Sequence, residues 1–156
     1  MAPKPSASSV AEQPPAVLRP LREGDVEAIA RWHGKAVVLA GSPAPLTDLL
    51  KPDGDRPTLV LTAGQSQESS LLITVALDDP EAGWATVALL AMPAPEQRDL
   101  AANGIALLEA DLRGQARHIR APVPADVGLA LYFWLRLGCR PVAAGGQLWM
   151  IRDLEG

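Results

Sequence analysis

The feature that most constrains the fold is a long apolar run over residues 85–92, followed closely by a helical pattern. A run of this length and character is typical of a strand that is buried on both faces of a sheet. Pro93 and Pro95 end the strand, because proline has no N–H to donate to a neighbouring strand. A polar connection over residues 96–103 then leads into a helix. The apolar stripe that this helix is predicted to bury consists of Ile105, Leu108 and Leu112.

A strand, a short loop and a helix N-terminus in this order can form an anion-binding site. The amides of the first helical turn have no partner inside the helix, and the helix dipole places roughly half a positive charge there. Phosphate groups bind at such helix ends for both reasons. The start of this helix is therefore the first candidate for a binding site in the chain.

Length and composition predict a single domain. The chain has 156 residues, of which 48% are hydrophobic, which is enough for one packed core. Residues 1–16 are rich in Pro, Ser and Ala, and we expect a disordered tail there and a folded domain over residues 17–156. Neither a signal peptide nor an apolar run near the roughly 18 residues of a membrane span is present, so a cytoplasmic protein is expected.

The net charge of the chain and its few His and Cys side chains argue against nucleic acid and metal ions as partners. The net charge of -4 disfavours nucleic acid, whose binding proteins usually present a basic face. His33 and His118 are the only histidines and Cys139 the only cysteine, and none of them has a second ligand at metal spacing. No metal site and no intrachain disulfide are predicted. Cys139 is interpreted as a small core residue and not as a nucleophile.

The remaining pattern predicts an α/β (α+β mixed) domain. A first strand at residues 17–21 precedes a helix that Asp25 is expected to cap and Gly34 to stop. A second helix is expected near residues 46–50, and residues 35–40 are apolar but ambiguous. The further strands are predicted at residues 58–63, 71–77, 84–92, 116–121, 139–142 and 147–152. The last helix is predicted to start at a cap formed by Asp126 and to run to Leu137.

This order of elements, together with three local sequences, resembles the GNAT superfamily of N-acetyltransferases. The three sequences are LRPLREGDVEAIARW, GLALYFWLRLGCRPV and LWMIRDL. The resemblance covers residues 17–154. It implies one GNAT-like domain with a mostly antiparallel central sheet, one splayed pair of strands and flanking helices.

The resemblance also implies acetyl-CoA (acyl-CoA) as co-substrate. In this family the pantetheine lies between the two splayed strands, here residues 84–92 and 116–121, and a loop of pattern Arg/Gln-x-x-Gly-x-Gly/Ala holds the pyrophosphate. In one alignment of that loop, Ala102 and Gly104 occupy the glycine positions and Asp99 the basic position.

A second alignment, shifted by one residue, places Arg98 at the basic position and Ala101 and Asn103 at the glycine positions. Glycine matters there because it lets the backbone approach a phosphate closely. Both alignments stay open. The cofactor-binding residues implied by the resemblance are Leu90, Met92, Arg98, Ala102, Asn103, Gly104 and Ile105.

No catalytic residue can be identified from the sequence. Trp134 occupies the position where the family often has a Tyr that protonates the leaving thiolate, and Tyr132 points to nearly the opposite side of the helix. The strand at residues 85–92 carries no carboxylate to act as a general base. Asp78, Asp79 and Glu81 precede that strand and are expected at its far end.

Two functions follow from these observations. The first is an acyltransferase that moves an acetyl (acyl) group from acyl-CoA to an amine of a small-molecule or peptide substrate. The amine would be oriented by residues 25–50 and the last hairpin, and a backbone amide near residues 90–92 would stabilise the tetrahedral intermediate. The second is a catalytically inactive GNAT-fold module that binds a ligand or a protein partner. A homodimer is compatible with either.

Overall fold

The computed structural model describes residues 17–32, 36–41, 58–62, 69–124 and 127–154. Within these ranges, the strands form one sheet. They are β1 (Val17–Pro20), β2 (Val37–Ala40), β3 (Thr58–Thr62), β4 (Ser69–Leu77), β5 (Trp84–Met92), β6 (His118–Val123), β7 (Arg140–Ala144) and β8 (Gln147–Asp153). The helices are α1 (Glu23–Ala30), α2 (Arg98–Leu112) and α3 (Gly128–Arg136), and a 3-10 turn at Pro95–Gln97 leads into α2.

The sheet is mostly antiparallel, as the resemblance implies. Its strand order is β1-β3-β4-β5-β6-β8-β7, and β2 pairs with β5 beside this path. The pair β5/β6 is parallel, whereas the other strand pairs of the described residues are antiparallel. Helix α2 connects β5 to β6 and provides the crossover that two parallel neighbours require.

Helices cover both faces of the sheet. The larger apolar cluster joins α2 and α3 to one face, with Leu90 and Met92 of β5 fully buried beneath them. The smaller cluster packs Ile29 of α1 and Trp32 against Leu89 on the other face. The predicted stripe of α2, Ile105, Leu108 and Leu112, is buried as expected.

Strand β5 carries a bulge near its middle. Val75 of β4 pairs with Val87, and the preceding residue, Thr74, pairs with Leu89, so Ala88 is an extra residue in β5. A bulge bends a strand and increases its local twist. The parallel pairing of β5 with β6 also stops just before this point, at the pair Thr86–Arg120. The two strands therefore separate at the bulge and leave a gap between their carboxyl halves.

Two predicted helix starts are wrong. Residues 98–103 belong to α2 and not to a loop, since the helix begins at Arg98 after the 3-10 turn. Asp25 is not the N-cap of α1 but lies inside its first turn, where it is buried. There its carboxylate accepts a hydrogen bond from the Arg22 amide at 2.8 Å. It also forms two bonds with the Arg19 guanidinium, at 2.7 and 2.8 Å.

Several other boundaries differ slightly from those predicted, and the ambiguous stretch at residues 35–40 contains strand β2. Strand β6 continues through Pro122, although the proline predicts its end. The Pro122 carbonyl accepts a hydrogen bond from the Gly41 amide, on the side of the gap. The N–H and C=O groups of one strand residue point to the same edge of the strand. The N–H that Pro122 lacks would therefore face the gap, and the pairing of β6 with β8 is unaffected.

Some predictions lie outside the described residues. These are the disordered tail at residues 1–16, the helix stop at Gly34, the second helix near residues 46–50 and the cap at Asp126. The described part of α3 begins at Gly128 with Val127 before it, and ends at Arg136, one residue before the predicted end, with Leu137 as its C-cap. Among the described residues, no helix is long and apolar enough to cross a membrane.

Candidate functional site

The gap between β5 and β6 is the site that the resemblance assigns to the pantetheine of acyl-CoA. In the structure, strand β2 lies along the β5 edge of this gap. Val37 pairs with Met92, Val38 with Ala91, and Ala40 with Leu90, all antiparallel. The other edge of β5 pairs with β4 at residues 90 and 91. Both edges of β5 are therefore occupied at these two residues.

Gly41 directly follows β2 and lies at the narrow end of the gap. Its amide donates to the Pro122 carbonyl of β6 at 2.8 Å, so this short segment bridges the two separated strands. Its φ angle is +93°, and a β-carbon added there would overlap the carbonyl oxygen of Ala88. Both the backbone conformation and the space require glycine at this position.

Trp134 of α3 fixes β2 from the other side. Its side chain is only 1% exposed, and its indole N–H donates to the Leu39 carbonyl at 2.7 Å. Phe133 packs edge-on against it, with ring centroids 5.2 Å apart. The resemblance places at position 134 a Tyr that protonates the leaving thiolate. Here the residue is Trp134, and its indole N–H is already bonded to the Leu39 carbonyl. Tyr132, by contrast, is 52% exposed, as the helical spacing predicts.

The residues predicted to bind the cofactor pyrophosphate lie on α2 and do not form a loop. Gly104 and Ile105 are buried on the inner side of the helix, and Arg98 and Asn103 are exposed. Ala102 is half-buried between these two groups. Inside a helix the amides from the second turn onward bond to the preceding turn and are not available to a phosphate. The helix therefore separates the predicted residues instead of bringing their amides together.

Two backbone amides at the beginning of α2 already have hydrogen-bond partners. The amide of Gln97 donates to the Ala94 carbonyl, and that of Arg98 donates to the Pro95 carbonyl. Glu96 and Asp99 add negative charge to the first turns. A negative side chain there stabilises the helix but opposes the approach of a phosphate.

A polar cluster that sequence reasoning missed lies where β5 and β6 separate. Arg120 donates through Nε to the Thr86 hydroxyl at 2.8 Å, and its guanidinium lies 3.8 Å from the ring centroid of Trp149. Asp79 lies 3.8 Å from the same guanidinium, and its carbonyl accepts from the Thr86 hydroxyl at 2.7 Å. Stacking and hydrogen bonding hold this cation in one orientation beside the gap.

A second polar group lies nearer the start of β6. His118 Nδ1 and Asp153 Oδ1 are 2.8 Å apart, and the Trp84 ring lies 4.6 Å from the imidazole. Trp84 and His118 are the first pair of the parallel ladder, so this group lies four residues of β5 away from the bulge at Ala88. At about 3.3 Å per strand residue, it is too far away to exchange a proton directly with a group at residues 90–92.

Another cavity lies away from the gap. It has a volume of about 440 Å³ and is lined by Gly83, residues 113–117 and Leu154. These residues surround the end of α2 and the beginning of β5 and β6, at the opposite end of β5 from residues 90–92. Asp78 and Glu81 belong to the turn at this same end, as predicted. This cavity therefore does not contribute to the gap.

Cys139 is buried, in agreement with its interpretation as a core residue. Burial raises the pKa of its thiol to about 11, and the neighbouring Glu109 contributes to the same shift. Since only the thiolate reacts, we expect a thiol-disulfide reagent at neutral pH to label native Cys139 at least about 100-fold more slowly than the unfolded chain. The measurement is labelling with and without denaturant. Equal rates in the two states would contradict the buried position.

Glu109 is a buried carboxyl on α2, with Oε1 3.5 Å from Arg152 Nη1. Burial raises the pKa of Glu109, and the charges of Arg152 and Arg113 oppose this shift only in part. A carboxyl whose pKa is raised by folding stabilises the fold fully below its unfolded pKa, near 4.3, and loses that contribution as the pH rises through the folded pKa.

We therefore expect Glu109→Gln to lose less stability than the parent protein as the pH rises from about 4 to about 7. The Arg152 guanidinium keeps its 2.7 Å bond to the Leu137 carbonyl in this variant. Denaturant unfolding at both pH values measures the difference. If the parent gains stability relative to the variant over this range, ion pairing outweighs burial and the expectation is wrong.

Comparison with known proteins supports the fold. No family model and no curated protein sequence matches the chain. Among solved structures, an acetyltransferase from Thermus thermophilus has 25% identity, covers 88% of this chain and 96% of its own, and superposes with a TM-score of 0.69. The ribosomal-protein-S18-alanine N-acetyltransferase from Escherichia coli has 14% identity, coverages of 90% and 95%, and a TM-score of 0.65.

A third similar structure is Arabidopsis thaliana NAA60 in complex with acetyl-CoA. It has 15% identity, coverages of 90% and 99%, and a TM-score of 0.66. These superpositions establish the architecture of the chain. The chain has the GNAT fold, and it superposes on GNAT acetyltransferases over nearly their whole length.

Proposed function

We propose that this protein is an acyl-CoA-dependent N-acyltransferase that transfers an acetyl group to an amine. The observation that carries the proposal is the separation of β5 from β6 after the pair Thr86–Arg120, at a bulge in β5, within the GNAT fold. Two of the neighbours that share this fold are acetyltransferases, and a third was solved with acetyl-CoA.

The acceptor amine is expected on the α1 face of the sheet, beside the point where the strands separate. Arg120 is held there by Thr86 and by the Trp149 ring. A fixed cation of this kind orients an acceptor that carries a carboxylate near its amine. Orientation is what a reaction between an amine and a thioester chiefly requires.

The residues of the gap do not fit a pantetheine chain as they stand. Strand β2 occupies the edge of residues 90–92, and the beginning of α2 lacks the predicted phosphate loop. This observation favours a second candidate, a GNAT-fold module without catalysis. The position of Trp134, whose N–H is already bonded to Leu39, favours it as well.

An assay of thiol release separates the two candidates. The protein is incubated with acetyl-CoA and a panel of amines that includes amino acids, peptide N-termini and lysine side chains. The proposal predicts release of CoA thiol together with a matching mass increase of one acceptor, above a reaction without protein. A folded protein that binds acetyl-CoA but releases no thiol with any of these amines is a non-catalytic binder.

A further inference from the structure

Strand β2 is built into the gap between β5 and β6 at three points. It pairs along β5 from Leu90 to Met92, its end at Gly41 bonds to Pro122 of β6, and its Leu39 carbonyl accepts from Trp134 of α3. Leu39 and Ala40 have no exposed surface and belong to the main core cluster. β2 therefore fills the gap in this structure through contacts with β5, β6 and α3.

The same edge of β5 cannot serve two partners. A strand edge presents one row of N–H and C=O groups, and each group bonds to a single neighbouring chain. The opposite edge of residues 90 and 91 is already used by Ile73 and Leu72 of β4. A pantetheine that bonds to residues 90–92 must therefore take the groups that now bond to β2.

We propose that β2 is an autoinhibitory strand: acyl-CoA and residues 37–41 compete for the edge of β5 at residues 90–92. The inference rests on the proposed function, because it assumes that the cofactor enters this gap. The closed state has β2 in place with Trp134 bonded to Leu39. The binding state has β2 withdrawn, so that the gap and the Trp134 N–H become available.

The substitution Gly41→Ala tests this competition selectively. A β-carbon at this position overlaps the Ala88 carbonyl and lies 3.2 Å from the Leu89 Cα, so it opposes the closed state. Withdrawal of β2 relieves the overlap. With the binding state populated at about 10% in the parent, Gly41→Ala tightens acetyl-CoA binding by up to about tenfold, measured by isothermal titration calorimetry.

Gly114→Ala is the matched control. Gly114 has a φ angle of +89°, close to that of Gly41, but a β-carbon there would meet no atom within 4 Å. It lies at the end of α2, beside the other cavity and away from the gap. This control therefore carries the same backbone strain without the overlap, and we expect it to bind acetyl-CoA with the affinity of the parent.

A reversible crosslink tests the opposite direction. Val38 and Ala91 are partners in the antiparallel pair, and such partners have Cα atoms roughly 4.5–5.5 Å apart, within the range of a disulfide. In the variant Val38→Cys/Ala91→Cys, oxidation fixes β2 in the gap. We expect the oxidised form to bind acetyl-CoA at least about tenfold more weakly than the reduced form of the same protein.

The outcomes distinguish the two proposals. If the parent, Gly41→Ala and both redox forms of the crosslinking variant bind acetyl-CoA equally, the cofactor does not compete with β2 and the inference is wrong, whereas the proposed function stands. If none of them binds acetyl-CoA although circular dichroism shows them folded, the proposed function and the inference are both wrong. Should Gly41→Ala fail to fold, the two redox forms alone decide.

Discussion

Replacement of Asp25 by alanine is expected to lower the free energy of unfolding by about 3–5 kcal/mol. The Asp25 and Arg19 side chains are only 7% and 11% exposed, and they form a two-bond ion pair. Removal of the carboxylate leaves the Arg19 charge buried without that partner, and it also removes the acceptor of the Arg22 amide. Urea denaturation followed by circular dichroism measures the loss.

Glu23→Ala is the control for this prediction. Glu23 is a carboxylate in the same first turn of α1, but it is exposed. It interacts chiefly with the helix dipole, so we expect a change of at most about 1 kcal/mol. If Asp25→Ala costs no more than Glu23→Ala, the ion pair of Asp25 and Arg19 does not stabilise the fold, and α1 is held by its apolar face alone.

Replacement of Trp134 by alanine is the second large effect, with an expected loss of about 3–5 kcal/mol. The side chain is almost fully buried in the main core cluster, and its N–H holds the Leu39 carbonyl of β2. The variant Trp134→Phe keeps most of the apolar contact and removes the N–H. We expect it to lose about 1–3 kcal/mol, because the Leu39 carbonyl is left buried without this donor.

Tyr132→Ala provides the comparison on the same helix. Tyr132 is half exposed, and Arg136 lies over its ring at 5.7 Å. A surface substitution of this kind changes stability by about 0.5 kcal/mol. Equal losses for Trp134→Ala and Tyr132→Ala would show that α3 does not bury the face that the structure gives it.

The sequence predicts the architecture well where an element has its own periodicity. The apolar run from residue 84 to residue 92, ended by Pro93, is strand β5 within the predicted limits. The stripe of Ile105, Leu108 and Leu112 follows from their spacing alone. The end of α3 at Gly138 follows from the left-handed conformation that this glycine adopts, with a φ angle of +91°.

The start of α2 differs from its predicted position for a local reason. Residues 96–103 are polar enough to form a loop, and the resemblance places a phosphate loop there. Glu, Gln, Arg, Leu and Ala are nevertheless good helix formers, and Pro95 is favoured at the first position of a helix. These local preferences extend the helix back to the proline.

The features of the gap depend on pairing between distant strands, which a single sequence does not reveal. The bulge at Ala88 leaves no trace in a run that is apolar on both faces. Thr86 and Arg120 become neighbours only through the register of β5 and β6. The insertion of β2 joins residues 37–41 to residues 90–92, and the sequence signal for it is limited to an ambiguous apolar stretch ending in glycine.

The competition that we propose places acyl-CoA along residues 90–92 of the GNAT fold, in place of β2. A crystal structure of the protein with acetyl-CoA, at a resolution that shows the pantetheine, tests it most directly. We expect pantetheine bonded to the edge of β5, with residues 37–41 withdrawn from Leu90–Met92 and the Leu39–Trp134 bond broken. A structure with acetyl-CoA bound elsewhere and β2 still paired with β5 would contradict it.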